Sequence, residues 1–220
     1  MSFLGVFMCD PANSRYFLTL RYILSNITEK GGSVINNIFL TGKIQMGKST
    51  LINRILAGFP GKVAGFRTLP YVENGQINGF YIESISEKPR PKELAFIARC
   101  RDNDHWEAFP LIFEQLGTSI LKNSLAQEPD LIILDELGFF ERNAMQFHIQ
   151  VFEVLNSPIP VLGVLKQYDD KFLNAIRRRE DVELITITER NREEMFQILE
   201  KRLEEVMSSV GLDGKKPGVV

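Results

Sequence analysis

Apolar positions along the chain fall into two kinds of stretch, short continuous runs and longer segments with a helical period. Asn37 to Thr41 is an apolar run of strand length, and behind it Leu51, Ile52, Ile55 and Leu56 form one stripe that Gly58 and Pro60 end. Asp130 to Leu134 and Val161 to Leu165 are continuous apolar runs, the pattern of strands buried on both faces, and Glu183 to Thr188 reads as a further strand. Helical spacing marks Pro110 to Ala126, Gln146 to Leu155 and Phe172 to Arg178. It also marks a last helix from Arg192, with Met195, Ile198, Leu199, Leu203 and Val206 on one face. Strands alternating with helices predict an α/β fold, a mainly parallel sheet covered on both sides.

One region breaks that alternation. The runs KVAGFRTLPYV and QINGFYIESI flank Glu73-Asn74-Gly75, and Asn-Gly between two β-rich runs predicts a hairpin over residues 63–86, centred near Gly75. Leu94 to Ala98 adds a strand after the proline-containing loop at 88–92. Ahead of the core, Leu20, Ile23, Leu24 and Ile27 share one helical face that stops at Gly31-Gly32. The chain thus divides into an N-terminal extension with a helix, 1–36, a core domain, 37–208, and a flexible C-terminal tail, 209–220.

Composition narrows the class. In 220 residues with 44% hydrophobic content there is enough apolar material to bury a real core. The formal charge of −2 and dispersed basic residues do not indicate a nucleic-acid partner. Cys9 and Cys100 stand far apart without metal spacing, which fits a reducing compartment. The N-terminus makes a poor signal peptide, and no apolar run approaches the ~18 residues that span a bilayer. The expectation is a soluble, cytoplasmic protein with no membrane partner.

The chemistry begins at Gly42-Lys43-Ile44-Gln45-Met46-Gly47-Lys48-Ser49, which satisfies G-x-x-x-x-G-K-[S/T] between a strand and a helix. In that context the glycines let backbone N–H groups and a helix N-terminus face anionic oxygens. Lys48 would reach the β- and γ-phosphates, the Ser49 hydroxyl would ligate Mg²⁺, and Thr50 continues the loop into the helix. The metal needs a carboxylate at the end of a neighbouring buried strand. LIILDE supplies it: Asp135 would hold Mg²⁺ through water, and Glu136 would orient or deprotonate an attacking water. Asp135 also reads as a helix cap, and Glu136 as a solvated loop carboxylate.

A GTPase reading competes, since Asp135-Glu136-Leu137-Gly138 spells D-x-x-G and Lys166-Gln167-Tyr168-Asp169 follows a buried strand. It fails in detail. Leu165 stands where a guanine-reading Asn is required, and Lys166 is one residue too far from Asp169.

Gly65-Phe66-Arg67-Thr68, Gly79-Phe80 and Asp135-Glu136-Leu137-Gly138-Phe139-Phe140-Glu141 resemble the strings GF-x-T, GF and DEIG-x-ME of the small P-loop nucleoside-triphosphatases of the THEP type, also called cancer-related NTPases. Pro160 to Gly163, Ile176-Arg177, Arg179 with Asp181-Val182, and Thr188 with Asn191-Arg192 extend the resemblance over roughly residues 37 to 207. It implies a RecA-like P-loop NTPase fold and Mg²⁺-dependent hydrolysis of several nucleoside triphosphates, ATP and GTP among them, with loose base selectivity. By that resemblance Gly42, Gly47, Lys48 and Ser49 are the phosphate loop, Asp135 the metal carboxylate and Glu136 the base. Arg67 and Thr68 would lie in a loop with a phosphate or switch role, against a surface reading for Arg67. Asn191 and Arg192 would approach the nucleobase, against a capping box formed by Asn191 and Glu194.

Three departures from the pattern stand out. Lys43-Ile44-Gln45-Met46 is bulkier than the family's Pro- and Gly-rich loop, and Ser49 replaces Thr. Leu69-Pro70-Tyr71-Val72 stands where the family has Glu-Val-Arg. The family pattern has no counterpart to the first 36 residues, for which covering a sheet edge, self-association into a homo-oligomer and a place over the nucleotide all stay open.

The other candidates read as ordinary. His105 and His148 are isolated and suit a surface or boundary position; Trp106 and the phenylalanines suit packing. Arg142, Arg177, Arg178 and Arg179 suit either an arginine finger or a solvated helix face. A phosphotransferase using the same loop, with a lid at 89–106, and a regulatory nucleotide switch remain beside the hydrolase.

Overall fold

The computed structural model describes residues 35–86, 94–101 and 105–209. The helix expected within 15–30 and the tail after residue 209 lie outside those residues. Eight strands form one sheet: β1 Asn37–Thr41, β2 Val63–Glu73, β3 Gln76–Ser84, β4 Ala95–Cys100, β5 Trp106–Ala108, β6 Leu131–Leu137, β7 Val161–Leu165 and β8 Val182–Thr186. The helices are α1 Lys48–Gly58, α2 Pro110–Ile112, α3 Thr118–Ala126, α4 Met145–Leu155, α5 Lys171–Arg177 and α6 Arg192–Ser209, with a π-helical turn, Phe113–Gly117, between α2 and α3.

Strand order is β5-β4-β3-β2-β6-β7-β1-β8. β2, β6, β7, β1 and β8 pair in parallel, whereas β2–β3, β3–β4 and β4–β5 are antiparallel. Alternation within the buried strands splits the core between the two faces of the sheet. On one face Ile38, Leu40, Leu131, Ile133, Leu162, Val164 and Ile185 pack with Leu51, Ile52 and Ile55 of α1 and Leu199, Leu203 and Val206 of α6. The other carries an aromatic cluster in which Phe147 of α4 lies 4.9 Å from Phe113 and 5.6 Å from Phe66, ring to ring.

The α/β class, the mainly parallel sheet and the hairpin turning at Asn74-Gly75 are as the sequence leads one to expect. Several details differ. The helix expected over 110–126 is interrupted by the π-helical turn at Phe113, where that ring enters the aromatic cluster. Within the segment suggested as a kinase lid, residues 95–100 instead form β4, which lies between β3 and the edge strand β5 that begins at Trp106. Arg67 and Thr68 do not lie in a loop but inside β2, paired with Glu83 and Ile82 of β3. β6 runs on through Asp135 and Glu136 to Leu137, because these residues still lie beside β2 and β7.

His148 is not at the surface. It is buried under α5, stacked 3.8 Å from the Phe172 ring, with Nε2 hydrogen-bonded to the Glu141 carbonyl at 2.9 Å. Arg179 is likewise no solvated arginine. Its buried guanidinium donates to Asp181, to the Leu155 carbonyl and to Asn156, tying the ends of α4, α5 and β8 together.

Candidate functional site

The Gly42–Ser49 loop leaves the C-terminal end of β1, between β7 and β8 in the parallel part of the sheet, and open α/β sheets present ligand crevices at the carboxyl ends of their strands. Gly42 turns the chain there with φ 130°, and a Cβ at that position would meet the Ile187 carbonyl oxygen at 2.4 Å. Lys43, Ile44 and Gln45 project outward, and Gly47 in the left-handed region starts α1 at Lys48. The buried Lys48 Nζ donates to the carbonyls of Gly42 at 3.0 Å and Lys43 at 2.6 Å, so the ammonium is folded across the mouth of the loop. Burial is the first cause that holds its pKa below the usual lysine value. A buried ammonium bonded only to neutral carbonyls is well placed to gain from an anion.

The loop meets β6 through one contact: Ser49 Oγ donates to Asp135 Oδ1 at 3.0 Å. Asp135 is buried at the sheet's edge, and burial pushes its carboxyl up to about 6, partly offset by the Ser49 hydrogen bond. A buried carboxylate short of positive charge beside a hydroxyl fits a hard divalent cation, one hydroxyl ligand and one carboxylate being what Mg²⁺ takes when phosphate and water complete its shell. Arg67, opposite Asp135 in the β2–β6 register, donates to Glu83 Oε1 at 2.6 Å and contributes positive charge to the same corner.

Glu136 lies where the β6–β7 register shifts. Leu134 pairs with Gly163 and Leu137 with Leu165, leaving one extra residue on β6, a bulge. The Asp135–Glu136 peptide is cis. Glu136 Oε1 accepts an ion pair from Lys166 Nζ at 2.5 Å. Lys166 follows β7 directly, its stem lies against Gly138, and its carbonyl accepts from the Arg177 guanidinium. Lys166 is thus engaged with Glu136, and Asp169 is occupied too, accepting from Asn174 at 2.6 Å. Next to this pair, Glu141 is fully enclosed and accepts from the Gly138 N–H; burial pushes its carboxyl up to about 7.

Asn191 and Arg192 arrive at the loop from the other side. Asn191 donates to the Thr186 carbonyl at 2.9 Å and accepts from the Thr188 N–H at 2.7 Å, so its side chain closes the β8–α6 turn instead of forming a box with Glu194. The Arg192 stem lies against Gly47. The structure thus gathers Lys48, Ser49, Asp135, Glu136, Arg67 and Arg192 around the loop, and ties the Asn191 side chain into a turn. Sequence reasoning missed Lys166 as the partner of Glu136 and Glu141 as a buried acid. The only signals were a failed guanine motif and the last residue of DELGFFE.

Comparison with known proteins agrees with this geometry. A family model described as NTPase matches residues 37–199. Nucleoside-triphosphatase THEP1 of Thermotoga sp. (strain RQ2) is 28% identical over 155 residues, 66% of this chain and 82% of that protein. The protein of the same name from Methanocaldococcus jannaschii is 32% identical over 143 residues, 61% of this chain and 81% of its own. In fold, the crystal structure of THEP1 from the hyperthermophile Aquifex aeolicus aligns with a TM-score of 0.62 at 23% identity, covering 76% of this chain and 99% of that one. The solution structure of a human cancer-related nucleoside triphosphatase aligns at 0.56, also at 23% identity, covering 77% and 98%. The family match runs from β1 through the phosphate loop and the β6 carboxylates into α6, and the chain belongs to the NTPase family.

Proposed function

We propose that this chain is a Mg²⁺-dependent nucleoside-triphosphatase with loose base selectivity, hydrolysing NTP to NDP and phosphate. The observation that carries the reading is the 3.0 Å contact between Ser49 Oγ of the phosphate loop and Asp135 Oδ1 of β6, with Glu136 one residue on. Gly42 to Thr50 supply the cradle: backbone N–H groups of the loop and the start of α1 face the phosphates, and Lys48 exchanges its two carbonyl partners for phosphate oxygens. Ser49 and Asp135 would hold the Mg²⁺, which neutralises charge on the β- and γ-phosphates when bound.

Glu136 takes the part of the base. It is not free in the structure, because Lys166 holds one of its oxygens, and that contact fixes the carboxylate in place. In the reaction the water oxygen bonds to the γ-phosphorus while the bond from that phosphorus to the β–γ bridging oxygen breaks. The bridging electron pair leaves on the diphosphate, and the water proton passes to Glu136. Arg67 and Arg192 add positive charge at the two rims of the site; a place for Arg192 near the base follows from its stem against Gly47.

Beyond β7 and β8, Asp169 and Asn191, the residues that the base-reading candidates would use, are tied into their own turns. Selectivity between ATP and GTP should therefore stay within about tenfold in kcat/KM, roughly 1.4 kcal/mol. The test is phosphate release from ATP, GTP, CTP and UTP, with and without Mg²⁺ and with nucleoside monophosphates offered as acceptors. Hydrolysis that needs Mg²⁺ and ignores the acceptor supports the reading; transfer exceeding hydrolysis, or a thousandfold preference for one base, overturns it.

A further inference from the structure

Thr68 sits one residue beyond the last β2–β6 pair, Arg67 with Asp135, so its side chain stands level with Glu136. Its Oγ1 is buried and has no hydrogen-bond partner among the described residues. Buried hydroxyls are nearly always satisfied, and an orphan one costs about 1–3 kcal/mol, so a hydroxyl left alone in this position calls for a partner beyond the described residues, such as a water. Thr68 lines a cavity of about 10 Å³ whose walls include Ile97, Phe113, Phe140, Glu136, Lys166 and the buried acid Glu141. That is about the room one water requires, roughly 10–15 Å³, and not the room for anything larger.

The walls divide by chemistry. Ile97, Phe113 and Phe140 are its apolar side, while the Thr68 hydroxyl, the Glu136 carboxylate, the Glu141 carboxyl and the Lys166 ammonium are polar groups from which a water can draw the two to four partners it needs. The cavity is also within electrostatic reach of the phosphate loop, because Glu136 and Lys166 both act on Lys48. We infer that Thr68 Oγ1 and Glu136 hold one water between them and that this is the water delivered to the γ-phosphorus. Thr68 orients the nucleophile and Glu136 takes its proton. A carboxylate alone fixes a water through one contact and leaves it free to swing; a second contact from a strand residue fixes its direction, which is where positioning contributes to rate. The inference rests on the assignment of Glu136 as base.

The test compares Thr68→Val, which keeps the shape and removes the hydroxyl, with Thr68→Ser, which keeps the hydroxyl, in the full chain. For each, kcat, KM, thermal midpoint and affinity for a non-hydrolysable ATP analogue with Mg²⁺ are measured, with Glu136→Gln alongside. The expected result is a kcat about tenfold or more lower for Thr68→Val, with analogue affinity within twofold of wild type, and recovery to within about threefold in Thr68→Ser. An orphan hydroxyl without a water predicts the reverse: Thr68→Val would be at least as stable as wild type and equally active. Full activity in Thr68→Val while Glu136→Gln is impaired overturns the inference alone. Full activity in Glu136→Gln removes the base assignment, and the shared water with it. A Thr68→Val variant whose kcat falls only together with analogue affinity also overturns it, since the hydroxyl would then serve the phosphates or the fold.

Discussion

β2 is two strands in one. From Val63 to Arg67 it pairs in parallel with β6, and Ala64, Gly65 and Phe66 are sealed in the core; from Leu69 to Glu73 it leaves β6, pairs only with β3 and carries half-exposed side chains such as Val72. The parallel half of the sheet is covered on both faces, so its chemistry can leave only at the carboxyl edge, where the loop, Asp135, Glu136 and Lys166 collect. The antiparallel half needs no crossover helices and keeps surface on view, with Ile77 and Trp106 partly exposed. Thr68 sits at the seam between the two. One sheet thus yields a reaction edge on one side and an aromatic apron on the other, and the pairing direction separates them.

The sharpest contrast comes from the reaction edge. Lys48→Ala should weaken triphosphate affinity and nearly remove turnover, because it deletes the charge that the loop commits to the phosphates. Glu136→Gln should keep binding and lose kcat by about 10²–10⁴-fold, the range for a lost general base, trapping uncleaved triphosphate. Calorimetry with Mg²⁺ and the analogue, beside steady-state rates, separates the two. Equal analogue affinity in wild type and Lys48→Ala would remove the loop as the phosphate site.

The seam itself comes next. Gly65 has φ 111°, and a Cβ there would meet the Ile133 carbonyl oxygen at 2.1 Å and its nitrogen at 2.7 Å. Gly65→Ala should therefore cost about 3 kcal/mol or more, through backbone strain and displacement of β6, read as a lower urea midpoint. An unchanged midpoint would show that β2 can move away from β6 without penalty.

A smaller effect comes from the buried acid and base behind the edge. Glu141 is pushed up to about 7 from 4.5, so the folded state holds a proton that the unfolded chain releases, and its contribution is lost as pH rises through that window. His148 is pushed down to about 4 from 6.5, chiefly by burial, so its contribution is lost as pH falls through the lower window. The two oppose each other between about pH 5 and 6.5. Unfolding measured across pH 4–8 should show His148→Gln with stability falling toward pH 7, since Glu141 and Asp135, the latter raised to about 6, both favour the protonated folded state, and Glu141→Gln with a flatter profile, since Asp135 still opposes His148. Parallel profiles in both variants would contradict the burial of one of the pair.

The least effect is expected on the apron. Trp106 stacks 5.4 Å from Phe80 at the antiparallel edge and is 38% exposed. Trp106→Ala should lower stability by about 1 kcal/mol and leave kcat within about twofold. A tenfold loss of kcat would make the two halves of the sheet one functional unit and remove the contrast.

The local pieces are written in short stretches of chain. The run from Asn37 to Thr41, the glycine pattern from Gly42 to Gly47 and the stripe of α1 encode strand, loop and helix within twenty residues, and Asn74-Gly75 encodes a turn; the acidic pair after LIIL was legible for the same reason. Period and turn chemistry act over a few residues, so a reader of the chain can apply them. What only the tertiary structure decided are relations across the sheet. Thr68 read as part of a β-rich run by pattern and as a loop residue by resemblance until β3 paired with it. His148 read as a surface histidine until Phe172, 24 residues on, covered it. Lys166 read as half of a failed base motif until β7 placed its ammonium on Glu136, 30 residues earlier in the chain. Burial and pairing of this kind depend on which strands become neighbours, and that choice is made by the packing of the whole core, which no local pattern contains.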